Sequence, residues 1–279
     1  MARSSTKTGL LMSGAAICAA FFALASSAHA QAVEDKYWLQ VQAFWPTINT
    51  SVEVNSASGA RGTKIDLESD LDLADRKSLP AIFGGARFGD RWTVVGEYYA
   101  LNRHGSASAN RDITFDDVTF PSGVTIDSEF KTDVYRVAVG YSFIKNDKAD
   151  VGVVAGLHVT QFTVGLEGQG HVGSAAIQSE TRKRDALAPL PTVGLYGVYQ
   201  AAPKISLGGR VDYLSLKVSD YDGRLVNAQA SVAYRAWKNV GVGVMYRYVD
   251  YKLGIEKDRW NGEVAYTFKG PALFLQAAF

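Results

Sequence analysis

The chain has 279 residues, 47% of them hydrophobic, with 29 Lys and Arg against 28 Asp and Glu and a single cysteine. The near-neutral balance argues against a nucleic-acid partner, which would need a basic face. The single cysteine, Cys18, excludes a disulfide framework, and residues 31–279, which have none, exclude a cysteine-based metal or redox centre.

Residues 1–30 have the form of a secretory signal peptide. Arg3 and Lys7 give a positive start, Gly9 to Ala25 is apolar and uncharged, and Ala28-His29-Ala30 is a small-x-small cleavage pattern. Cleavage near Ala30 removes Cys18 and leaves 27 basic against 28 acidic residues. The apolar run is shorter than the ~20 residues of a spanning helix. Residues 31–279 are read as one domain.

Beyond residue 30 the dominant pattern is alternation over ten or more residues, bounded by polar turns, which predicts long strands. The first is expected from Tyr37 to Val54, followed by a polar segment from Asn55 to Ser78. The second, Leu79 to Phe88, joins the third, Arg91 to Ser106, through a tight turn at Gly89-Asp90. After a polar stretch from Asn110 to Gly123 the fourth covers Thr125 to Ile144. The fifth, Asp150 to Glu167, leads into an expected flexible loop from Gly168 to Lys183. The sixth to ninth cover Leu187 to Tyr199, Ile205 to Val218, Arg224 to Trp237 and Val240 to Ile255. The tenth covers Arg259 to Phe279. Ten strands, with eight or twelve as alternatives, put both termini at one end.

The faces of these strands are distinct. Val240, Val242, Val244, Tyr246 and Tyr248 share one face, and Gly241, Gly243 and Arg247 the other. Tyr135 to Phe143 and Ile205 to Tyr213 repeat the pattern. An apolar face opposite a small and charged one predicts a membrane barrel, apolar side to lipid and polar side to a narrow lumen. Trp38, Trp92 and Trp237, and separately Tyr246, Tyr248 and Trp260, are expected to form two aromatic girdles. In the closing strand Leu273, Leu275, Ala277 and Phe279 share a face directed to lipid, with Gln276 to the lumen. Val264, Tyr266 and Phe268 have the opposite parity, which predicts a bulge or kink at Gly270-Pro271.

The signal peptide ending in Ala28-His29-Ala30, the alternating strands and the terminal Phe279 together resemble the small outer-membrane β-barrel proteins of Gram-negative bacteria. The pattern is broadly similar to the outer-membrane protein A transmembrane domain or outer-membrane protein W. The resemblance implies an all-β fold, a single antiparallel transmembrane barrel located in the bacterial outer membrane. It also implies contact with outer-membrane lipid and lipopolysaccharide, and a C-terminal strand read by the barrel-insertion machinery. No appended peptidoglycan-binding domain is expected after the last strand. No cofactor is implied.

By parity Glu97, Arg103, Arg136, His158, Arg210, Asp212, Arg235, Arg247 and Glu263 point into the lumen. They are read either as a polar constriction admitting small solutes, in a narrow porin-like channel, or as an ion-paired plug in a structural or surface-interaction barrel. Asp66, Glu68, Asp70, Asp72 and Asp75 lack the spacing of a calcium loop and read as solvated, so no metal site is assigned. Arg182, Lys183 and Arg184 are read as a basic cluster that contacts lipopolysaccharide phosphates, with a solvated cluster as the alternative. His104-Gly105-Ser106 resembles the pair in outer-membrane lipid A deacylases but lacks an evident acidic third member, since Glu97 lies on the other face and Asp112 in a loop. No catalytic residue is therefore assigned. A lipid-modifying enzyme and a soluble periplasmic barrel for an apolar ligand are the alternative functions.

Overall fold

The computed structural model describes residues 34–56, 61–172, 175–218, 220–257 and 260–279. The signal peptide expected at residues 1–30 lies outside them. The strands are β1 (Tyr37–Phe44), β2 (Thr47–Ser56), β3 (Ile65–Asp66), β4 (Leu79–Phe88), β5 (Trp92–Ser108), β6 (Ile113–Phe115) and β7 (Val118–Phe120). They continue with β8 (Thr125–Lys145), β9 (Ala149–Val172), β10 (Ala175–Ala202), β11 (Ile205–Val218), β12 (Tyr221–Arg235), β13 (Val240–Lys257) and β14 (Trp260–Ala278). Ten of them close an antiparallel ring in the order β1, β4, β5, β8, β9, β10, β11, β12, β13, β14, with β14 returning to β1. The expected ten-stranded barrel is the observed one.

The seam explains how the first strand works. β14 pairs with β1 from Trp38↔Ala278 to Phe44↔Ala272 and with β2 from Thr47↔Lys269 to Ser56↔Trp260. The register is the same on both sides of Trp45-Pro46, so β1 and β2 are one strand interrupted where proline supplies no N–H. The expected bulge at Gly270-Pro271 is absent. The β13–β14 ladder runs without a shift through Arg247↔Gly270 and Tyr246↔Pro271.

No kink is needed because the apolar face of each strand changes side along its length. In β13, Val242, Val244, Tyr246 and Tyr248 face outward, whereas Val249, Tyr251, Leu253 and Ile255 are buried inside. In β14, Leu273 and Leu275 face outward and Val264, Tyr266 and Phe268 inward. In β8, Tyr135, Val137, Val139 and Tyr141 face outward and Ile126, Phe130 and Val134 inward. Toward the short turns the outside is apolar. Toward the other end it is polar, with Lys252 paired to Glu263 at 2.7 Å and Arg224 to Asp250 at 3.0 Å. The switch is what a barrel crossing from hydrocarbon into water requires.

Outward aromatics mark both edges of the apolar band. Phe88, Trp92, Tyr141, Phe143, Tyr199, Tyr234 and Trp237 ring the short-turn end, and Trp45, Tyr98, Tyr135, Tyr213, Tyr246 and Tyr248 the other. Tyr135 and Tyr141 are six residues apart, or ~20 Å along the strand. Trp38 does not join the girdle. It turns inward over Gly85, its register partner, where a Cβ would come within 2.4 Å of the indole. The Trp260 side chain lies outside the described residues.

Beyond the upper girdle the wall continues as a water-exposed extension. β10 alone has 28 residues, against the ~9–11 that cross a bilayer. The flexible loop expected over Gly168 to Lys183 is mostly strand, since β9 runs to Val172 and β10 begins at Ala175. The polar segment after β2 also has structure. β4 is short, and β3 with the residues around it fills the resulting gap: Leu67 N donates to Thr50 O at 2.9 Å and Ile48 N to Asp75 O at 2.7 Å, while Lys77 Nζ reaches Asn102 O of β5. Ile65, Leu67, Leu71 and Leu73 are buried there, and Glu68 and Asp70 pair with Arg103 and Arg111. The hairpin of β6 and β7 folds over the same end, with Ile113, Phe115, Val118 and Phe120 fully buried. Its turn residue Asp116 has φ 61, a left-handed conformation that Asp adopts more readily than most residues.

Candidate functional site

Inward-facing charges gather at the level of the upper girdle. Glu97 on β5 pairs with Arg210 on β11, Oε2 to Nη2 at 3.1 Å, and with Arg247 on β13, Oε1 to Nη1 at 2.6 Å. Asp212 on β11 accepts from Arg136 on β8 at 2.9 Å and lies 3.1 Å from Arg210 Nε. The side chains of all five are at most 8% exposed, so the attraction is barely screened. Arg247 also donates Nε–H to Asn227 Oδ1 and lies 4.9 Å from the centre of the Tyr99 ring. The contacts of Glu97 with Arg210 and Arg247, and of Arg136 with Asp212, cross the interior rather than following the wall, and form a belt strung from one side of the barrel to the other.

The remaining expected lumen residues fall elsewhere. His158 is buried between the belt and Tyr251, 6.3 Å between ring centres. Arg103 is buried above, donating to Glu68 and to Thr50 Oγ1. Arg235 stands at the short-turn mouth, paired with Asp35. Glu263 is a correction. It faces outward beside Lys252, because the continuous register gives it the parity of Leu273. Leu273, Leu275 and Phe279 point outward as expected, and Gln276 inward, accepting from Gln40 at 2.9 Å.

Above the belt the interior is packed with aromatic side chains. Tyr251 and Tyr266 stack at 4.9 Å with 5° between planes, Tyr266 meets Phe268 at 4.4 Å, and Phe162 lies against both tyrosines at 5.4 and 6.0 Å. Arg182 Nε donates to Asp117 at 2.9 Å, and Arg184 pairs with Asp116, so two members of the expected lipopolysaccharide cluster pin the β6–β7 hairpin from inside. Only Lys183 of the three points outward, 3.6 Å from Glu129. The hydrogen bond from Arg182 holds the Asp117 carboxyl below the usual range, while burial pushes Asp116 up against the pull of Arg184.

Below the belt lies a cavity of about 190 Å³. Its inner end is Arg136 and Arg210, and its walls include Phe83, Val95, Met245 and Phe274. Ser206, Ala233 and Gln276 near the short turns are only half-buried, which opens the cavity at that end. Arg87 and Asp150, paired at 2.5 Å, flank it. The sequence gives little sign of this cavity, since it is bounded by Gly208 and Ser231 as much as by any large side chain.

The enzymatic candidate lies on the outer wall of the extension. His104 and Ser106 are both exposed. A carboxylate does stand near the histidine, Glu129 at 3.9 Å from Nδ1, on the strand paired with β5. It is already engaged by Lys131.

A ten-stranded ring with lipid-facing girdles and a capped interior leaves one architecture, and the family described as outer membrane protein beta-barrel domain matches residues 16–268. The chain belongs to that family. Among solved structures, it is similar to the outer membrane protease OmpT from Escherichia coli, with 11% identity over 87% of this chain and 97% of that one, TM-score 0.55. It also matches OprG from Pseudomonas aeruginosa (11% identity, 88% and 96% covered, TM-score 0.39) and Neisserial surface protein A (12%, 87% and 97%, TM-score 0.32). At these identities the likeness to OmpT concerns the fold alone. No curated protein matches.

Proposed function

We propose that this chain is a non-enzymatic barrel of the bacterial outer membrane, sealed to solutes, with its short turns in the periplasm and its extension outside. The observation that carries the proposal is the filled interior: the cross-barrel ion pairs are covered by the aromatic stack of Phe162, Tyr251, Tyr266 and Phe268 and then by the β6–β7 hairpin. A passive porin-like channel would have to displace all three layers. The filled interior favours a structural or surface-interaction barrel. The polar outer wall of the extension suits display at the cell surface, and Lys131, Lys183, Arg224 and Lys252, outward above the upper girdle, suit lipopolysaccharide phosphates. The outward face of Leu273 to Phe279 suits the barrel-insertion machinery. A non-enzymatic role is favoured because the carboxylate nearest His104 is already held by lysine.

Planar-bilayer recording tests this directly. The purified barrel is expected to give no channel events above baseline, and steady single-channel conductance from the folded protein would overturn the proposal.

A further inference from the structure

The belt is not electrically balanced. Arg136, Arg210 and Arg247 face only Glu97 and Asp212. The shortfall is greatest at Arg136, whose side chain is 1% exposed, with Arg247 Nη2 another belt N–H group left over. Its Nη2 donates to Asp212, but Nη1 and Nε have no acceptor among the described residues. A buried N–H without a partner costs ~1–3 kcal/mol, more when charged. Arg136 is also one of the two arginines that line the inner end of the cavity, so its unpartnered N–H groups lie just behind that end. The cavity walls combine the apolar Phe83, Met245 and Phe274 with the polar Thr93, Gln229 and Ser231.

We propose that this cavity is a binding site for a small amphipathic carboxylate. Its two oxygens would meet the planar guanidinium of Arg136, supplying the missing negative charge. Its hydrocarbon or aromatic body would lie against Phe83, Met245 and Phe274. The cavity is smaller than the ~300–1,000 Å³ of drug-sized sites, which limits the ligand to a short aliphatic or single-ring acid. The ligand enters from the short-turn end and goes no further, because the aromatic stack closes the other side. The site is therefore a receptor pocket rather than a transit point. It goes beyond the sealed-barrel reading, and its test does not depend on conductance.

Isothermal titration of the folded barrel in zwitterionic-lipid nanodiscs, in chloride-free buffer, tests the site with hexanoate and benzoate, and with hexanol as the neutral control. At least one carboxylate is expected to bind saturably, and hexanol at least ten-fold more weakly than hexanoate or benzoate, whichever binds. Arg136→Gln removes the surplus charge while Arg210 still holds Asp212 and Glu97. It is expected to lose carboxylate binding. Ser231→Phe fills the cavity without touching the belt and is expected to lose binding too, with heat-modifiable gel mobility confirming that the barrel is folded. The proposal is overturned if neither carboxylate binds, if hexanol binds as tightly, or if folded Ser231→Phe binds as well as the wild type. Should Arg136→Gln fail to fold, the hexanol comparison and Ser231→Phe still decide.

Discussion

Glu97 and Arg247 meet at 2.6 Å although their strands, β5 and β13, stand four places apart around the ring. The contact therefore spans the interior and ties opposite walls together. Removing one partner of such a buried pair strands the other charge, at ~3–5 kcal/mol. Glu97→Ala should lose about that much, since it strands Arg247 and leaves Arg210 with Asp212 alone. The double variant Glu97→Gln with Arg247→Gln should cost less than the sum of its singles, by ~0.5–3 kcal/mol. Urea unfolding in detergent micelles, followed by tryptophan fluorescence, measures both. Additive losses would show that the pair does not couple.

The direction of Phe268 gives a second prediction. Phe268 is fully buried inside the barrel, and its neighbour Lys269 is exposed outside. Phe268→Ala should cost ~3–5 kcal/mol, as for other large core deletions. Lys269→Ala should stay within ~0.5 kcal/mol. The same unfolding assay reads both, and the reverse order would mean that the closing strand has the other parity.

These two residues also show what could be read in the sequence. Alternation identifies the strands, and the starts of β4 and β11 and the end of β14 agree with the sequence to within a residue. What alternation does not supply is which face is inside. Periodicity groups Val264, Tyr266 and Phe268 and sets them apart from Leu273 and Leu275. The environment decides the rest, because apolar means outward in hydrocarbon and inward in water. A single rule along the whole strand forces an imaginary kink at Gly270 and sends Glu263 into the lumen. The inward charges Glu97, Arg136, Arg210, Asp212 and Arg247 were legible because they lie at the membrane level, where that rule holds. That Glu97 and Asp212 pair with arginines was legible too, but not which arginine each takes, since Glu97 and Arg247 are 150 residues apart. The hairpin cap and the cavity were hidden for a similar reason: each depends on segments brought together only by closure of the ring.

Gly270 has a different necessity. A Cβ there would stand 2.4 Å from Trp45 O and 3.0 Å from Pro46 Cα, both backbone atoms. Neither can rotate away, and Pro46 already interrupts the ladder at this point. Gly270→Ala should therefore cost ~1–3 kcal/mol by overpacking. The loss should appear as a lower temperature for conversion of the compact to the unfolded form on gels. An unchanged conversion temperature would mean that β2 and β14 are not so closely apposed.

The hairpin cap should respond to acid through Asp117. Its folded pKa lies below the usual carboxylate value, chiefly because Arg182 donates to it. Such a group stabilises the docked cap fully above an unfolded pKa of ~3.9, and the contribution disappears as pH falls through the lower folded value. Asp116 acts in the opposite sense. Burial raises its folded pKa, so its ionised form opposes docking and protonation relieves that cost. The Asp117 side chain is 40% exposed, which limits the pair to ~0.2–1 kcal/mol, or at most about five-fold in protection. Hydrogen exchange of residues 113–120, corrected for intrinsic rates, separates the two groups. Asp117→Asn should lower cap protection relative to wild type at pH 5.5, and the deficit should shrink as the pH is lowered below the unfolded pKa of ~3.9 and wild-type Asp117 is protonated in its turn. A deficit that does not shrink on acidification would show that the carboxylate charge of Asp117 does not hold the cap.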